Sequence, residues 1–69
     1  MMLEEMLAKH GFAMVEKAPV FVKVRHAALP NEVQVLAMAY GREPSEADVT
    51  YLADRTRRRA YRMARGNAF

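Results

Sequence analysis

The side chains that could do acid–base or metal chemistry are few in this sequence and lie far apart. Neighbouring carboxylates occur twice, as Glu4 with Glu5 and as Glu46 with Asp48, and single histidines stand at positions 10 and 26. Acidic residues at a helix start commonly cap the helix, and no nucleophile has a base at readable spacing. Without cysteine there is no thiolate to hold a metal. We therefore predict a protein that is not an enzyme, with no catalytic residue, metal site or cofactor.

The strongest chemical signal is a run of arginines late in the chain. Residues 55–69 contain six arginines and no acidic residue, whereas residues 1–54 carry five basic side chains against eight acidic ones. Positive charge concentrated on one segment attracts nucleic acid, an acidic protein surface or anionic lipid. The alternative is a charged helix face that serves only to stay hydrated.

The arginines fall within a segment that has clear helix signals. Ser45 and Asp48 have the spacing of a capping box, and apolar residues then recur every three or four positions until Gly66. At about 100° per residue, one aromatic and four basic side chains lie on the face opposite the apolar stripe. These are Tyr51, Arg55, Arg58, Arg62 and Arg65. The sequence therefore predicts an arginine-rich helix over 45–66 with a basic ridge.

Strict alternation of side chains predicts one short strand over 19–26. Three valines share one face of this strand, and an aromatic and two basic side chains share the other: Val20, Val22 and Val24 against Phe21, Lys23 and Arg25. The backbone of a strand needs hydrogen-bonding partners. Two partners remain open, a weaker strand at 12–15 or the same strand of a second subunit.

Two further helices are predicted, over 1–11 and 29–41. In the second, Pro30 suits the first turn and Gly41 the end, and apolar residues line both sides of the helix. Such a helix must be covered twice, and 69 residues offer too little protein to do so. We therefore expect an obligate homodimer. Its predicted interface residues are Val20, Val22, Val24, Val35 and Met38.

Together these elements predict a single small domain over 1–69 that is mostly α with one short strand. The order of strand, helix, turn and helix over 19–65 resembles the ribbon-helix-helix family, in which strands of two subunits pair and read DNA. The turn 41–45 is similar to the glycine-containing connection of that family, and the helix over 1–11 is an extra element. The resemblance implies a homodimer and, as one alternative function, a DNA-binding repressor. Acidic residues at the start of the last helix oppose phosphate, which makes nucleic acid the less favoured partner.

Over its whole length the chain is similar to small quorum-sensing anti-activators encoded by temperate phages. The resemblance rests on the length of 69 residues and on segments 20–25, 29–41 and 56–63. Residues 29–41 also resemble the first helix and turn of LuxR-type helix-turn-helix domains. The resemblance implies a non-enzymatic dimer that binds a LuxR-type transcriptional activator and blocks it. It also implies a second target, the ATPase that assembles type IV pili.

Aromatic and basic side chains are the candidates for binding such a partner, because tyrosine and arginine bury large areas and still make directed hydrogen bonds. The predicted partner-binding residues are Arg25, Tyr40, Tyr51, Arg55, Arg58, Tyr61 and Arg62. In the alternative, Tyr40 packs in the core and the arginines only keep the dimer soluble. With no long apolar run and no basic leader, we expect a cytoplasmic protein without membrane insertion, in the host cytoplasm if a phage encodes it.

Overall fold

A computed structural model describes residues 2–66, so Met1 of the predicted first helix and residues 67–69 lie outside the described part of the chain. The described residues form two helices, three strands and one short 3-10 turn. Their bounds are α1 Leu3–Lys9, β1 Phe12–Lys17, β2 Phe21–His26, β3 Leu29–Ala37, the 3-10 turn Ala39–Gly41 and α2 Glu46–Gly66.

The three strands form one antiparallel sheet in the order β1–β2–β3. In its register, Val24 of β2 lies between Met14 of β1 and Gln34 of β3. The segment predicted as a lone strand is therefore the middle of a sheet. Of its two open partners, the neighbouring segment of the same chain pairs with it on one side, and β3 pairs with it on the other.

The prediction of a helix over 29–41 is wrong, and so is the mostly α, ribbon-helix-helix-like fold class that depended on it. The segment forms β3, in which Gln34 and Leu36 point to one side of the sheet and residues 33, 35 and 37 to the other. Over so short an apolar run, strand and helix periodicities coincide. A two-residue turn at 27–28 returns the chain beside β2, so pairing between distant residues decides between the two patterns.

The homodimer prediction rested on a strand that pairs between subunits and on an apolar helix over 29–41, and the structure shows neither within residues 2–66. A ribbon-helix-helix strand pairs with its own copy, whereas both edges of β2 are already occupied within one chain. Three of the five predicted interface residues, Val22, Val24 and Met38, are buried in the core of that chain. Val20 and Val35 are exposed.

The core lies between one face of the sheet and both helices. Leu3 and Leu7 of α1, Val22 and Val24 of β2, and Val49 of α2 are among its buried members. Both helices pack on the same face, so the opposite face of the sheet has no layer over it within residues 2–66. The molecule is thus a two-layer α/β arrangement with one open sheet face.

The turn between α1 and β1 is built around Gly11 and a buried histidine. Gly11 has a φ of +89°, in the left-handed region that favours glycine. His26 is 5% exposed, and its Nδ1 accepts the N–H of Ala28 at 2.9 Å. Since Nδ1 accepts, Nε2 carries the proton and donates to the carbonyl of His10 at 2.9 Å. His26 therefore ties the end of α1 to the β2–β3 turn.

The predicted capping box begins α2. The hydroxyl of Ser45 accepts the N–H of Asp48 at 3.2 Å, and the Asp48 carboxylate accepts the N–H of Ser45 at 3.1 Å. The helix extends for 21 residues, about 31 Å at 1.5 Å per residue. Among its last ten residues only Ala60 is partly buried. In the part of the chain described, no helix is both long and apolar enough to cross a membrane.

Candidate functional site

The exposed face of α2 carries a cluster that we call the arginine ridge, Tyr51, Arg55, Arg58 and Arg62. These four side chains line a shallow depression of about 230 Å³. The helix presents them to solvent because Val49, Ala53 and Thr56, on its opposite side, are buried against the rest of the molecule. The guanidinium of Arg55 lies over the ring of Tyr51, 5.8 Å from its centroid. This contact holds one cation and one aromatic surface together.

The ridge keeps its positive charge because its arginines form no ion pair with the acidic residues of 2–66. Arg57 pairs with Asp54 at 3.2 Å and Arg59 with Glu32 at 2.6 Å, both off the ridge. Within residues 2–66, no carboxylate oxygen lies within 4.0 Å of the guanidinium groups of Arg55, Arg58 or Arg62. The ridge therefore offers three guanidinium groups to an external anionic group.

A second concave feature, the edge groove, lies between α2 and β3. It encloses about 110 Å³ and is lined by Gln34, Leu52, Arg55, Thr56, Arg59 and Arg62. Gln34 donates from its amide to the hydroxyl of Thr56 at 3.0 Å, and that hydroxyl donates to the carbonyl of Leu52 at 2.7 Å. This polar link fixes β3 against α2. Arg55 and Arg62 belong to both the ridge and the groove.

The structure brings together four of the seven predicted partner-binding residues, those of the arginine ridge. Tyr61 lies to one side of it, where its hydroxyl accepts from Arg65 at 3.3 Å. Tyr40 is fully exposed in the 3-10 turn before α2, so it is not the core residue of the alternative interpretation. Arg25 projects from β2 on the open sheet face, on the other side of the molecule from the ridge.

The open sheet face is mixed in character. Lys23 lies at its centre, 3.6 Å from the carboxylate of Glu16 and 5.6 Å from the centroid of the Phe21 ring. Val33 and Val35 of β3 are exposed beside it. The face therefore combines exposed apolar area with partly neutralised charge.

Sequence reasoning missed four residues of the edge groove, Gln34, Leu52, Thr56 and Arg59. Arg59 had a detectable signal, because positions 55, 59 and 62 recur at spacings of four and three along one helix flank. Leu52 and Thr56 belong to the repeat at three and four positions along the predicted helix, a pattern that indicates burial and not a binding site. Gln34 had no signal, because its segment was assigned to a helix rather than to a strand beside α2.

The charge of the side chains changes from negative to positive along α2. The hydrogen bond from Lys9, reinforced by one from His10, holds the pKa of the Glu46 carboxyl below its ordinary value. Glu46 and Asp48 thus place negative charge at the first turn, where it complements the helix dipole. Among the described residues, no three histidine or carboxylate side chains converge as metal ligands would. The charge pattern along α2 is the feature that the proposal below addresses.

No known protein family, curated protein or solved structure compared with the chain matches it. The chemistry of the exposed surfaces is therefore the basis for assigning a function.

Proposed function

We propose that the protein is a non-enzymatic inhibitor that docks its arginine ridge on an acidic surface of another protein. The single observation that carries the proposal is the ridge geometry, three guanidinium groups that form no ion pair within residues 2–66, beside an exposed aromatic ring. Arginine and tyrosine are enriched among the residues that dominate binding energy, because they combine large buried area with directed hydrogen bonds. Paired, bidentate contacts to carboxylates suit guanidinium groups in particular.

Apolar surface near the ridge supports a protein partner over nucleic acid. Tyr51 on the ridge and Tyr61 beside it are 62% and 63% exposed. Such groups gain free energy by leaving water in a protein interface, whereas phosphate contacts require mainly charge. Acidic residues at the start of α2 add repulsion for a phosphate backbone. A ribbon-helix-helix protein reads DNA through a strand that pairs with its copy in a second subunit. Here β2 is the central strand of a sheet within one chain, so it is not available for that arrangement.

The first target to test is a LuxR-type transcriptional activator in the host cytoplasm, and the second is the ATPase that assembles type IV pili. Both choices rest on the resemblance of the sequence to phage anti-activators. Binding at the ridge would block such a target by covering a surface that it needs, with no covalent step.

The test is titration calorimetry of the full chain with a purified LuxR-type activator. Removing the ridge charges in the triple variant Arg55→Ser, Arg58→Ser, Arg62→Ser should weaken binding by about tenfold, since three exposed ion pairs of about 0.5 kcal/mol each sum to about 1.5 kcal/mol. A matched control removes three positive charges elsewhere, through Lys17→Ser, Arg42→Ser and Arg57→Ser. It should leave the affinity within about threefold, because net charge alone acts weakly at physiological salt.

Titration with duplex DNA tests the alternative function, a DNA-binding repressor. We expect no tight complex at physiological salt. A tight duplex complex whose affinity falls steeply with salt, and which the ridge variant abolishes, would show that the arginines serve phosphate and would overturn the proposal.

A further inference from the structure

One edge of the sheet is open to an additional strand. β3 is an edge strand in the sheet that residues 2–66 form. Its first half contains Pro30 and Glu32 and shifts register against β2, whereas its stretch 33–37 contains neither charge nor proline. Natural edge strands are usually blunted by such residues or by a bulge. The other edge, β1, is blunted in this way, because its register shifts between Met14 and Glu16 and it ends on Glu16 and Lys17. The unpaired backbone N–H and C=O groups of residues 33–37 are therefore available to pair with an additional strand.

The edge groove runs along this open edge. Glu46 of α2 contacts Lys9 and so marks the side of the helix that faces α1. At about 100° per residue, Arg55 lies about 180° around the helix from Glu46, and Arg59 and Arg62 lie about 140° and 160° from it. These three arginines consequently project on the side away from α1, above the free edge of β3. Gln34 lines the same groove from the strand.

The positive charge of the edge groove favours one kind of strand over another at the free edge of β3. Pairing of β3 with β3 of a second copy would bring the same three arginines of that copy to the facing wall, and like charges at close range repel. An incoming strand that carries carboxylates would neutralise them instead. Carboxylates on alternate residues of an extended strand are about 7 Å apart, and Arg55 and Arg59 are about 6 Å apart along the helix axis. The spacings match within the reach of an arginine side chain.

We propose that β3 and the edge groove receive an extended acidic segment of the partner protein as a fourth strand. Its main chain pairs with residues 33–37, and its carboxylates on the helix side contact Arg55, Arg59 and Arg62. Arg59 keeps its contact with Glu32 at 2.6 Å, since a guanidinium has further donors to offer. The inference rests on the proposed function and specifies the form in which an acidic partner is recognised.

The test uses the full chain, labelled with ¹⁵N, and the peptide acetyl-Thr-Glu-Val-Glu-Val-Glu-Thr-amide as the probe. Amide shifts should move in residues 33–37 and not in 12–17. The same peptide with glutamine in place of its three glutamates should bind about tenfold more weakly, and the original peptide should bind Arg55→Ser with Arg62→Ser about fivefold more weakly. The control pair Arg42→Ser with Arg57→Ser removes the same charge elsewhere and should bind within about twofold of the unaltered chain.

Two backbone-methylated forms of the peptide separate strand addition from simple charge attraction. One is N-methylated on its odd residues and the other on its even residues. Only alternate N–H groups of an added strand face its neighbour, so one form should lose binding and the other retain it. If both forms bind like the parent peptide, strand addition is overturned. If binding then still requires Arg55 and Arg62, the proposal that the arginine ridge binds an acidic protein surface is unaffected.

Two further results would also overturn the inference. One is that the double variant Arg55→Ser, Arg62→Ser and the control pair Arg42→Ser, Arg57→Ser bind the peptide with equal affinity. The other is a free protein that is already dimeric with residues 33–37 protected from hydrogen exchange, because a second copy would then occupy the edge.

Discussion

Replacing Gly11 by alanine should destabilise the protein strongly, because two separate penalties meet at this position. The first is conformational: a residue with a Cβ pays about 1–2 kcal/mol in the left-handed region, and Gly11 has a φ of +89°. The second is steric, since a Cβ at Gly11 would lie 2.7 Å from Nε2 of His26. Moving the ring breaks the 2.9 Å hydrogen bond to the His10 carbonyl and leaves a buried donor without a partner, at about 1–3 kcal/mol.

The two penalties together lower the free energy of unfolding by about 2–5 kcal/mol. That is a large fraction of the total for a domain of this size, about 3–10 kcal/mol. Gly41 and Gly66 provide matched controls. Gly41 has a φ of +74° but open space around it, so Gly41→Ala carries the conformational penalty alone, about 1–2 kcal/mol. Gly66→Ala meets nothing within 4 Å and should be close to neutral.

Urea unfolding followed by far-ultraviolet circular dichroism measures all three variants on one scale. The expected order of destabilisation is Gly11→Ala first, Gly41→Ala second and Gly66→Ala last. Equal losses for the first two would refute the close approach of Gly11 to His26, and with it the described anchoring of α1 to the sheet.

Three further predictions concern the residues around α2. Tyr40 is fully exposed at a φ of 56°, so Tyr40→Asn should raise the free energy of unfolding by about 0.5 kcal/mol, measured in urea. Ser45→Ala removes the cap of α2 and should lower it by about 1 kcal/mol in the same assay. Lys9, with His10, holds the pKa of Glu46 below its ordinary 4.5, so the contact stabilises the fold above that pH and is lost as the pH falls through the lowered pKa. The Tm advantage of the unaltered protein over Glu46→Gln should therefore vanish on acidification, and a pH-independent difference would contradict it.

The parts of the fold that could be predicted from sequence are those set by neighbouring residues. The capping box at Ser45 and Asp48 marks the start of α2, and strict alternation marks β2. β3 could not be distinguished from a helix, because its identity depends on pairing with β2 rather than on its own pattern. One incorrect element then changed the fold class, since a helix in that place requires a second chain and a strand does not.

The same distinction applies to the candidate site. The arginine ridge lies on one face of one helix, so helical spacing was enough to group Tyr51, Arg55, Arg58 and Arg62. The edge groove needs Gln34 of β3 beside Thr56 of α2, residues separated by 22 positions in sequence. Sequence periodicity carries no information about that contact, so the groove became visible only with the sheet.

The most direct test of the central claim, that the arginine ridge binds an acidic protein surface, is photo-crosslinking. Benzoylphenylalanine at Tyr51 reports on the ridge, and at Val15 it reports on β1, the sheet edge opposite β3, where the side chain is also exposed. With a purified LuxR-type activator present, the probe at position 51 should form a protein adduct that disappears with Arg58→Ser and Arg62→Ser, and the probe at position 15 should form none. Equal adducts at both positions, or an adduct at position 51 that survives removal of the arginines, would contradict the claim.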